Sequence, residues 1–255
     1  ESYEKLVGFD MGGTSTDVSH YAGEYERQFE TQVAGVRLRA PMMQIHTVAA
    51  GGGSIVKFQD GRYQVGPESA GANPGPACYR RGGPLTVTDC NVLLGKIQPQ
   101  YFPAIFGEQG NQALDRETVV SKFNVLAEEL NKQETELSDK KVSAQDVAQG
   151  FLNVAVENMA NAVKRISIQR GYDLSDYTLV SFGGAGGQHA CLVAEQLGVK
   201  KVLMHPFSGV LSAFGIGLAD QIKLKDSAIE NLLDEPLLTE ISLKIKTISS
   251  ELSGE

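Results

Sequence analysis

The stretch GFDMGGTSTDV, residues 8–18, limits the folds open to this chain more than any other part of it. An apolar run leads to Asp10 and a Gly-Gly turn, small hydroxylated residues follow, and Asp17 ends the stretch. Glycine N–H groups can approach a charged ligand closely, hydroxyls can donate to phosphate oxygens, and a neighbouring carboxylate can hold Mg²⁺. The residues therefore predict either a tight β-hairpin with a polar turn or a phosphate-binding loop. The candidate ligand-binding residues are Asp10, Gly12, Gly13, Thr14, Ser15, Thr16 and Asp17.

This loop differs from two common nucleotide-binding fingerprints. It lacks the lysine of GxxxxGK[ST], and it is not a GxGxxG that opens a helix. Residues 18–33 predict further strands, so the loop is expected to join two strands of an antiparallel three-strand meander. A strand-turn-strand phosphate loop is typical of the actin, hexokinase and Hsp70 type of ATPase. We therefore expect an α/β fold of the actin-like (ribonuclease H-like) type, with a mixed sheet and helices packed against it.

Charge and cysteine content exclude several classes of protein. The 255 residues carry a net charge of −8, with 42% hydrophobic and 21% charged residues, as in ordinary globular proteins. No basic cluster is present, so no nucleic-acid-binding surface is expected. The sequence shows neither a signal peptide nor a long apolar run, so no membrane association is expected. Three scattered cysteines are too few for a disulfide framework and indicate the cytoplasm.

A structural zinc site is not expected either. The candidate ligands by residue type are not linked by CxxC or HxxxH spacing; they are His46, Cys78, Cys90, His189 and Cys191. Cys78 lies in a loop rich in glycine and proline, where the residues allow a reactive thiol or a small buried side chain.

The first hundred residues are rich in glycine. Residues 55–65 alternate around an Asp-Gly pair, which is a strong β-hairpin signal. Residues 66–83 contain so many turn formers that we expect an ordered but irregular loop. Residues 85–87 then predict a short strand, and Thr88 or Asp89 is expected to cap a short helix after it.

The middle of the chain is helical. Asp115 is expected to cap a helix that ends near residue 131. Ser143, with Asp146 in the position of a capping box, is expected to open a long helix that runs to about Arg170 and stops at Gly171. Apolar residues recur in that helix at spacings of three and four, which indicates core scaffold.

The last third predicts one crossover unit. A strand at residues 177–182, a glycine turn, a helix at 188–197 and a strand at 201–205 favour a parallel arrangement with ligands beyond the strands' carboxyl ends. We expect this GGAGG turn to face the same cleft as the GGTST turn. His189 is expected either to cap the helix or to line the site. The candidate ligand-binding residues of the turn are Gly183, Gly184, Gly186 and Gly187.

The chain resembles the hydantoinase A / 5-oxoprolinase family of the actin-like ATPase superfamily between Leu6 and about Ala219. The resemblance rests on motifs that occur in this order: GFDMGGTSTDV, AAGGGSI, GPESAGANPGPACYRRGGPLTVTDCN, FGGAGGQHA and FSGVLSAFG. It implies that residues 1–225 form an actin-like lobe with a helical insertion at about 100–142, and that residues 226–255 form a truncated helical extension. Family members usually begin with a further lobe that carries its own DxGGTxTD-like loop, so this chain is expected to be the second lobe only.

The resemblance also implies a function. Family members are ATP-dependent enzymes that open cyclic amides such as hydantoins or 5-oxoproline, and relatives carboxylate ketones. Asp10 and Asp17 would be catalytic and would hold Mg²⁺, residues 12–16 would bind the phosphates of ATP, and the GGAGG glycines would border the adenosine. The implied partners are the N-terminal lobe, a hydantoinase B type subunit or fused segment, and a small cyclic amide. Self-association is a further expectation, and the isolated chain is expected to bind ATP weakly and turn nothing over.

The implied chemistry is phosphorylation of a lactam oxygen, which turns a poor leaving group into a good one. Such a transfer needs positioning and charge neutralisation, which a glycine cradle and Mg²⁺ supply. Neither glycine turn contains a cation, so Arg80 or Arg81 either assists or is simply solvated. Two alternatives remain open: the ATPase part of a ketone carboxylase, and a non-catalytic nucleotide-binding module of the sugar-kinase or chaperone type.

Overall fold

The computed structural model describes residues 3–33, 35–133, 141–220 and 222–254. The chain divides into two compact units. The first unit consists of Glu1–Arg27 and Met43–Ser212, and the second of Gln28–Met42 and Ala213–Glu255. The boundary expected near residue 225 falls within the second unit. Among the helices of the described residues, none combines the length and apolar character that a membrane span requires.

The described residues form strands and α-helices in an irregular alternation. The strands are β1 (Lys5–Met11), β2 (Thr16–Ala22), β3 (Arg27–Val33), β4 (Val36–Met43), β5 (Ile45–Val48), β6 (Ser54–Gln59), β7 (Arg62–Ser69), β8 (Thr178–Phe182) and β9 (Lys201–Met204). The helices are α1 (Val87–Leu93), α2 (Arg116–Gln133), α3 (Ala144–Ile166), α4 (Ala190–Leu197), α5 (Leu211–Leu218) and α6 (Glu235–Ser253).

The first unit is built on a five-stranded mixed sheet with the strand order β5-β2-β1-β8-β9. β1 pairs antiparallel with β2 and parallel with β8. At the two edges of the sheet, β5 pairs antiparallel with β2, and β9 pairs parallel with β8. Val7, Phe9 and Met11 of β1 are fully buried, as expected for the central strand of a sheet covered by helices. The predicted α/β architecture with a mixed sheet is confirmed.

The third strand of the antiparallel part differs from the prediction. The sequence predicts that residues 25–33 continue the meander, and this is wrong: β3 pairs with β4 in a separate sheet, and β5 lies beside β2. The segment RQFETQV of β3 has only two apolar side chains, and Phe29 is more than half exposed. Because such a strand buries little apolar area, it adds little stability to a covered sheet.

The hairpin predicted at residues 55–65 is confirmed by β6 and β7. Asp60 and Gly61 have φ angles of 53° and 73°, the left-handed conformation that a two-residue turn of this kind requires. The following segment to residue 83 begins as the end of β7 and is otherwise irregular apart from one 3₁₀ turn at Ala77–Tyr79.

The short strand predicted at residues 85–87 is not formed. Thr86 makes a single bridge to Ile55 and acts as the N-cap of α1, in place of the expected Thr88 or Asp89. Asp89 Oδ2 accepts from the Thr86 N–H at 2.8 Å and from its hydroxyl at 2.9 Å. These bonds satisfy groups that a strand would have to pair elsewhere, so the helix begins at Val87, earlier than predicted.

α3 is the scaffold helix of the first unit, and α1, α2 and α4 pack against it. Its last turn ends at Ile166, and a 3₁₀ turn leads to Gly171 at a φ of 89°, so the predicted helix is right except for its final residues. α2 buries one face in the same core, so the helical segment expected at about 100–142 shares that core. Residues 134–140 of that segment lie outside the described residues.

The predicted capping box of α3 is present. Ser143 Oγ accepts from the Asp146 N–H at 3.1 Å, and Asp146 Oδ2 accepts from the Ser143 N–H at 2.9 Å. Ser143→Ala should lower the free energy of unfolding by about 1 kcal/mol, because an N-terminal donor of the helix loses its partner. Urea denaturation measures the change. Ser121→Ala, on the exposed face of α2, should have almost no effect; equal effects of the two substitutions would contradict the capping role.

The predicted crossover unit is also confirmed. β8 and β9 are parallel, and α4 connects them and ends at Gly198, whose φ is 70°. A 3₁₀ turn at Gly186–Gln188 precedes α4. The GGAGG turn therefore leaves the carboxyl end of β8.

Candidate functional site

A cleft of about 280 Å³ opens in the first unit. Gly12 and Gly13 of the GGTST turn line it together with Gly184 and Ala185 of the GGAGG turn. The prediction that the two turns line one cleft is therefore confirmed.

The sheet explains why two turns so distant in sequence meet. β1 and β8 are parallel neighbours in register at Asp10 and Phe182, so both turns leave the same edge. The Ala185 N–H donates to the Met11 carbonyl at 3.0 Å. Gly183, at a φ of 81°, has no room for a Cβ, which would collide with the Asp10 carboxylate and the Met11 carbonyl. Packing therefore requires a glycine at this position.

The GGTST turn presents several unpaired donors. The Gly12 N–H donates to the Ser15 carbonyl at 3.0 Å and closes the turn. Within the described residues, the N–H groups of Gly13, Thr14 and Ser15 have no hydrogen-bond partner, nor do the hydroxyls of Thr14 and Ser15. Successive free backbone N–H groups form a concave donor surface that suits an anion.

Thr16 differs from the rest of the turn. Its side chain is fully buried, and its hydroxyl donates to the Ala50 carbonyl at 2.5 Å. Thr16 thus anchors the turn to the segment after β5.

Asp10 and Asp17 stand directly opposite each other in the β1–β2 register, so both side chains are on the same face of the sheet. Asp10 Oδ2 accepts from the Ser212 hydroxyl at 3.0 Å, and Asp17 Oδ1 accepts from the Thr47 hydroxyl at 2.5 Å. Carboxylate oxygens are the ligands that Mg²⁺ prefers. No cluster of three or more His, Cys, Asp or Glu side chains suited to a metal occurs in the described part of the chain. A cation here would therefore take its remaining ligands from phosphate oxygens or water.

The other GGAGG glycines have distinct surroundings. Gly184 is exposed on the cleft, and its N–H has no partner among the described residues. Gly186 is buried, and a Cβ there would lie 2.9 Å from the Ser181 hydroxyl. Gly187 is exposed beside Met204 and does not line the cleft. Of the four, Gly184 contributes to the cleft surface directly.

The AAGGGSI motif forms a further wall to which the sequence analysis gave no role. Gly52 and Gly53 donate their N–H groups to carbonyls of the GGTST turn at 3.1 and 2.5 Å. A Cβ on Gly51 would lie 2.5–2.7 Å from backbone atoms of the same turn. The Gly52 carbonyl accepts from both the N–H and the hydroxyl of Thr88, each at 2.8 Å. The run of three glycines was the available signal, since it indicates close approach of two backbones.

Apolar side chains form a further part of the cleft lining. They include Tyr79, Ile97, Phe102 and Leu114. Tyr79 packs against Phe106 with 4.5 Å between ring centroids, and burial raises the pKa of its hydroxyl. A cleft with backbone donors and a flat apolar surface suits a ligand that joins an anionic group to a planar ring.

Arg80 and Arg81 do not line this cleft. Arg80 forms an ion pair with Asp115 at 3.0 Å, and Arg81 donates to the backbone carbonyls of Gly107 and Ala72. Both side chains are thus engaged in holding the loop of residues 66–83.

Two of the cysteines, Cys78 and Cys90, lie in surroundings that disfavour reactivity. Cys78 and Cys90 are fully buried, and burial raises the pKa of both thiols, which disfavours the nucleophilic thiolate. The Cys78 N–H instead donates to the Asp89 carboxylate at 2.8 Å. The interpretation of Cys78 as a small buried side chain fits these surroundings.

His189 is the N-cap residue of α4, and its side chain makes no capping hydrogen bond. The side chain is fully buried, and its Nε2 lies 3.1 Å from Asn91 Nδ2. Burial, helped by the charge of Lys96, lowers the pKa of His189 to about 4. The imidazole is therefore neutral at neutral pH.

This shift predicts a pH dependence of stability. In the unfolded chain His189 takes up a proton near pH 6.5, but in the folded chain only near pH 4, so the unfolded state binds more protons between these values. The free energy of unfolding should fall by about 3 kcal/mol as the pH drops through this window, through His189 alone. Chemical denaturation of the wild type and of His189→Gln at a series of pH values measures the difference. Equal slopes in the two proteins would contradict the buried neutral state.

The fold and the cleft together define a mixed α/β protein with a strand-turn-strand loop and a glycine-walled cleft. The family model described as hydantoinase/oxoprolinase matches residues 1–225. The chain belongs to this family.

Individual relatives agree with this assignment. The chain is 49% identical to the 5-oxoprolinase of Saccharomyces cerevisiae over 249 residues, which is 97% of this chain and 19% of that protein. The crystal structure of ATP-dependent caprolactamase from Pseudomonas jessenii matches 98% of this chain and 36% of its own, with a TM-score of 0.79 and 32% identity. Nucleotide-free acetone carboxylase matches 86% of this chain and 29% of its own, with a TM-score of 0.72 and 27% identity. The chain spans about a fifth of the length of the curated 5-oxoprolinases it matches.

Proposed function

We propose that this chain is an actin-like nucleotide-binding lobe of an ATP-dependent enzyme that opens a cyclic amide. The observation that carries the proposal is the shared cleft, which is lined by Gly13 and Gly184, whose N–H groups have no partner among the described residues. Asp10 and Asp17 do not line the cleft, but they flank the GGTST turn that forms one of its walls. The resemblance to 5-oxoprolinase and to ATP-dependent caprolactamase supports the reaction class.

The residues of the GGTST turn and the two carboxylates that flank it fit a magnesium nucleotide. Asp10 and Asp17 would hold Mg²⁺ together with phosphate oxygens and water, and the free N–H and hydroxyl groups at Gly13, Thr14 and Ser15 would hold the phosphates. Bound Mg²⁺ neutralises phosphate charge, which matters here because no lysine or arginine among the described residues lines the cleft. Gly184 and the apolar lining would border the adenosine. Thr16, Gly183, Gly186 and Gly187 would shape and support the two turns.

The reaction would depend on positioning. A lactam carbonyl is a poor electrophile, and a phosphoryl group on its oxygen makes that oxygen a good leaving group. Little covalent work is then left to the protein beyond holding the two reactants in line and compensating charge. Rigid backbone donors suit this task because they need no reorganisation during the transfer.

The rest of the enzyme would lie outside this chain. We propose an N-terminal lobe with its own phosphate loop and a hydantoinase B type segment or subunit as partners, working in the cytoplasm. Closure of two lobes would exclude water from the phosphates. Exposed apolar side chains of the second unit, among them Leu232 and Leu243, offer a surface for such partners or for self-association.

A ketone carboxylase is the second candidate, favoured by the fold match to acetone carboxylase. Both reactions would use the same phosphoryl-activating cleft, so they differ in the acceptor of the phosphoryl group.

ATP hydrolysis by the complete protein with its partner tests the proposal. Turnover stimulated by 5-oxoproline, hydantoin or caprolactam is the expected result. Stimulation only by acetone with bicarbonate would favour the carboxylase, and ATP binding without any stimulation would favour a non-catalytic module.

A further inference from the structure

A series of hydrogen-bonded side chains leads from α1 to the cleft. Asn91 is fully buried, and its Nδ2 donates to Gln188 Oε1 at 2.7 Å and lies 3.1 Å from His189 Nε2. Gln188 lines the cleft next to the GGAGG turn. The proposed function gives none of these three residues a role.

Asn91 fixes the direction of the hydrogen bonds among these three side chains. An amide nitrogen can only donate, so His189 Nε2 must accept, and the imidazole proton is on Nδ1. For the same reason Gln188 turns its oxygen toward Asn91, and its NH₂ group points elsewhere. Within the described residues, Gln188 Nε2 has no hydrogen-bond partner. Gln188 therefore offers the cleft a donor rather than an acceptor.

Further observations indicate that this arrangement serves more than packing. Lys96 Nζ donates to the Gln188 backbone carbonyl at 3.2 Å and holds the residue in place. His189 stays neutral because of its lowered pKa, and so keeps a lone pair on Nε2. Asn91 Oδ1 and His189 Nδ1 are buried without a partner in the described structure.

We propose that the Gln188 amide donates a hydrogen bond to an acceptor atom of the nucleotide, and that Asn91 is a positioning residue that sets this polarity. The inference rests on the proposed function, because it takes the ligand of the cleft to be ATP. Gln188 then supplies a side-chain donor beside the backbone N–H of Gly184. His189 acts one step further away, by keeping Asn91 in its donating orientation.

Asn91→Asp reverses the polarity without changing a residue of the cleft lining. A carboxylate cannot donate, so Gln188 would turn its NH₂ group toward it and present its oxygen to the nucleotide. In the complete enzyme we expect KM for Mg-ATP to rise about tenfold, because the acceptor loses its hydrogen bond and faces an oxygen instead, with kcat little changed.

Gln188→Met tests the donor directly, also where Asn91→Asp fails to fold. Methionine has a similar length and no donor, so KM for Mg-ATP should rise about tenfold or more, and KM for the lactam should not change. Asn153→Asp is the matched control, because Asn153 is exposed on α3 and its Oδ1 accepts from Gln149 at 2.8 Å. It should leave both KM values unchanged.

Nitrogen-15 NMR of the histidine-labelled 255-residue chain identifies the tautomer of His189, and this measurement does not depend on enzymatic activity. The wild type should show the Nδ1–H tautomer of His189, and Asn91→Asp should show a proton on Nε2 with a raised pKa. An Nε2–H tautomer in the wild type would overturn the inference.

The outcomes separate this inference from the proposed function. An active enzyme whose KM for Mg-ATP is unchanged in Gln188→Met would overturn the inference alone. A wild type that hydrolyses no ATP with any lactam or ketone would reject the proposed function and this inference together.

Discussion

Asp10→Asn and Asp17→Asn should each lower ATP-dependent turnover of the complete enzyme at least about 100-fold. Either change removes a negative charge from the pair beside the GGTST turn that would hold Mg²⁺. The amide retains an oxygen that accepts from Ser212 or Thr47, so the local structure should persist. Steady-state ATP hydrolysis measures the loss, and circular dichroism checks the fold.

Asp176→Asn is the matched control for these substitutions. Asp176 is exposed and lies 3.6 Å from Lys5 in a surface ion pair, which contributes little to stability. Its turnover should equal that of the wild type. Normal turnover of both Asp10→Asn and Asp17→Asn would reject the role of the carboxylates as Mg²⁺ ligands.

Gly51→Ala should destabilise the first unit by about 2–3 kcal/mol and abolish nucleotide binding. The new methyl group would meet backbone atoms of the GGTST turn, which cannot move away as a flexible side chain can. The turn would have to shift, and the hydrogen bonds that Gly52 and Gly53 donate to it would be strained. Denaturation and calorimetry with Mg-ATP measure the two effects.

Gly209→Ala serves as the control for backbone crowding. A Cβ at Gly209 meets nothing within 4 Å, and its φ is not positive, so alanine there should be neutral or slightly stabilising. A Gly51→Ala protein as stable as Gly209→Ala would show that the walls of the cleft do not require their close approach.

Local signals predicted most of the fold. The capping box at Ser143, the stop at Gly171 and the Asp60-Gly61 turn each depend on a few neighbouring residues, and each is confirmed. Strand partners depend on distant residues, so the antiparallel neighbour of β2 was predicted wrongly. The β-propensity of Thr86 predicts a strand, whereas its hydrogen bond to Asp89, three residues away, makes it the N-cap of a helix.

The candidate cleft was predicted in part, because motifs are local in sequence whereas contacts between distant segments are not. Motif spacing identified both glycine turns, and the parallel pairing of β1 and β8 explains why they meet. The role of Gly51 and the burial of Thr16 depend on which backbones touch, and no single motif contains that information. The chain from Asn91 to Gln188 joins two elements far apart in sequence, so only the structure could reveal it.

The position of β1 in the sheet has a consequence for synthesis on the ribosome. β2 follows β1 after a short turn, but the other neighbour of β1 begins only at Thr178. Until then a strand that carries Val7, Phe9 and Met11 has one unpaired edge, which invites pairing with other chains. A nascent chain that stalls before β8 emerges therefore contains the first glycine turn but cannot close the cleft, and it depends on protection from aggregation until Thr178–Phe182 has emerged.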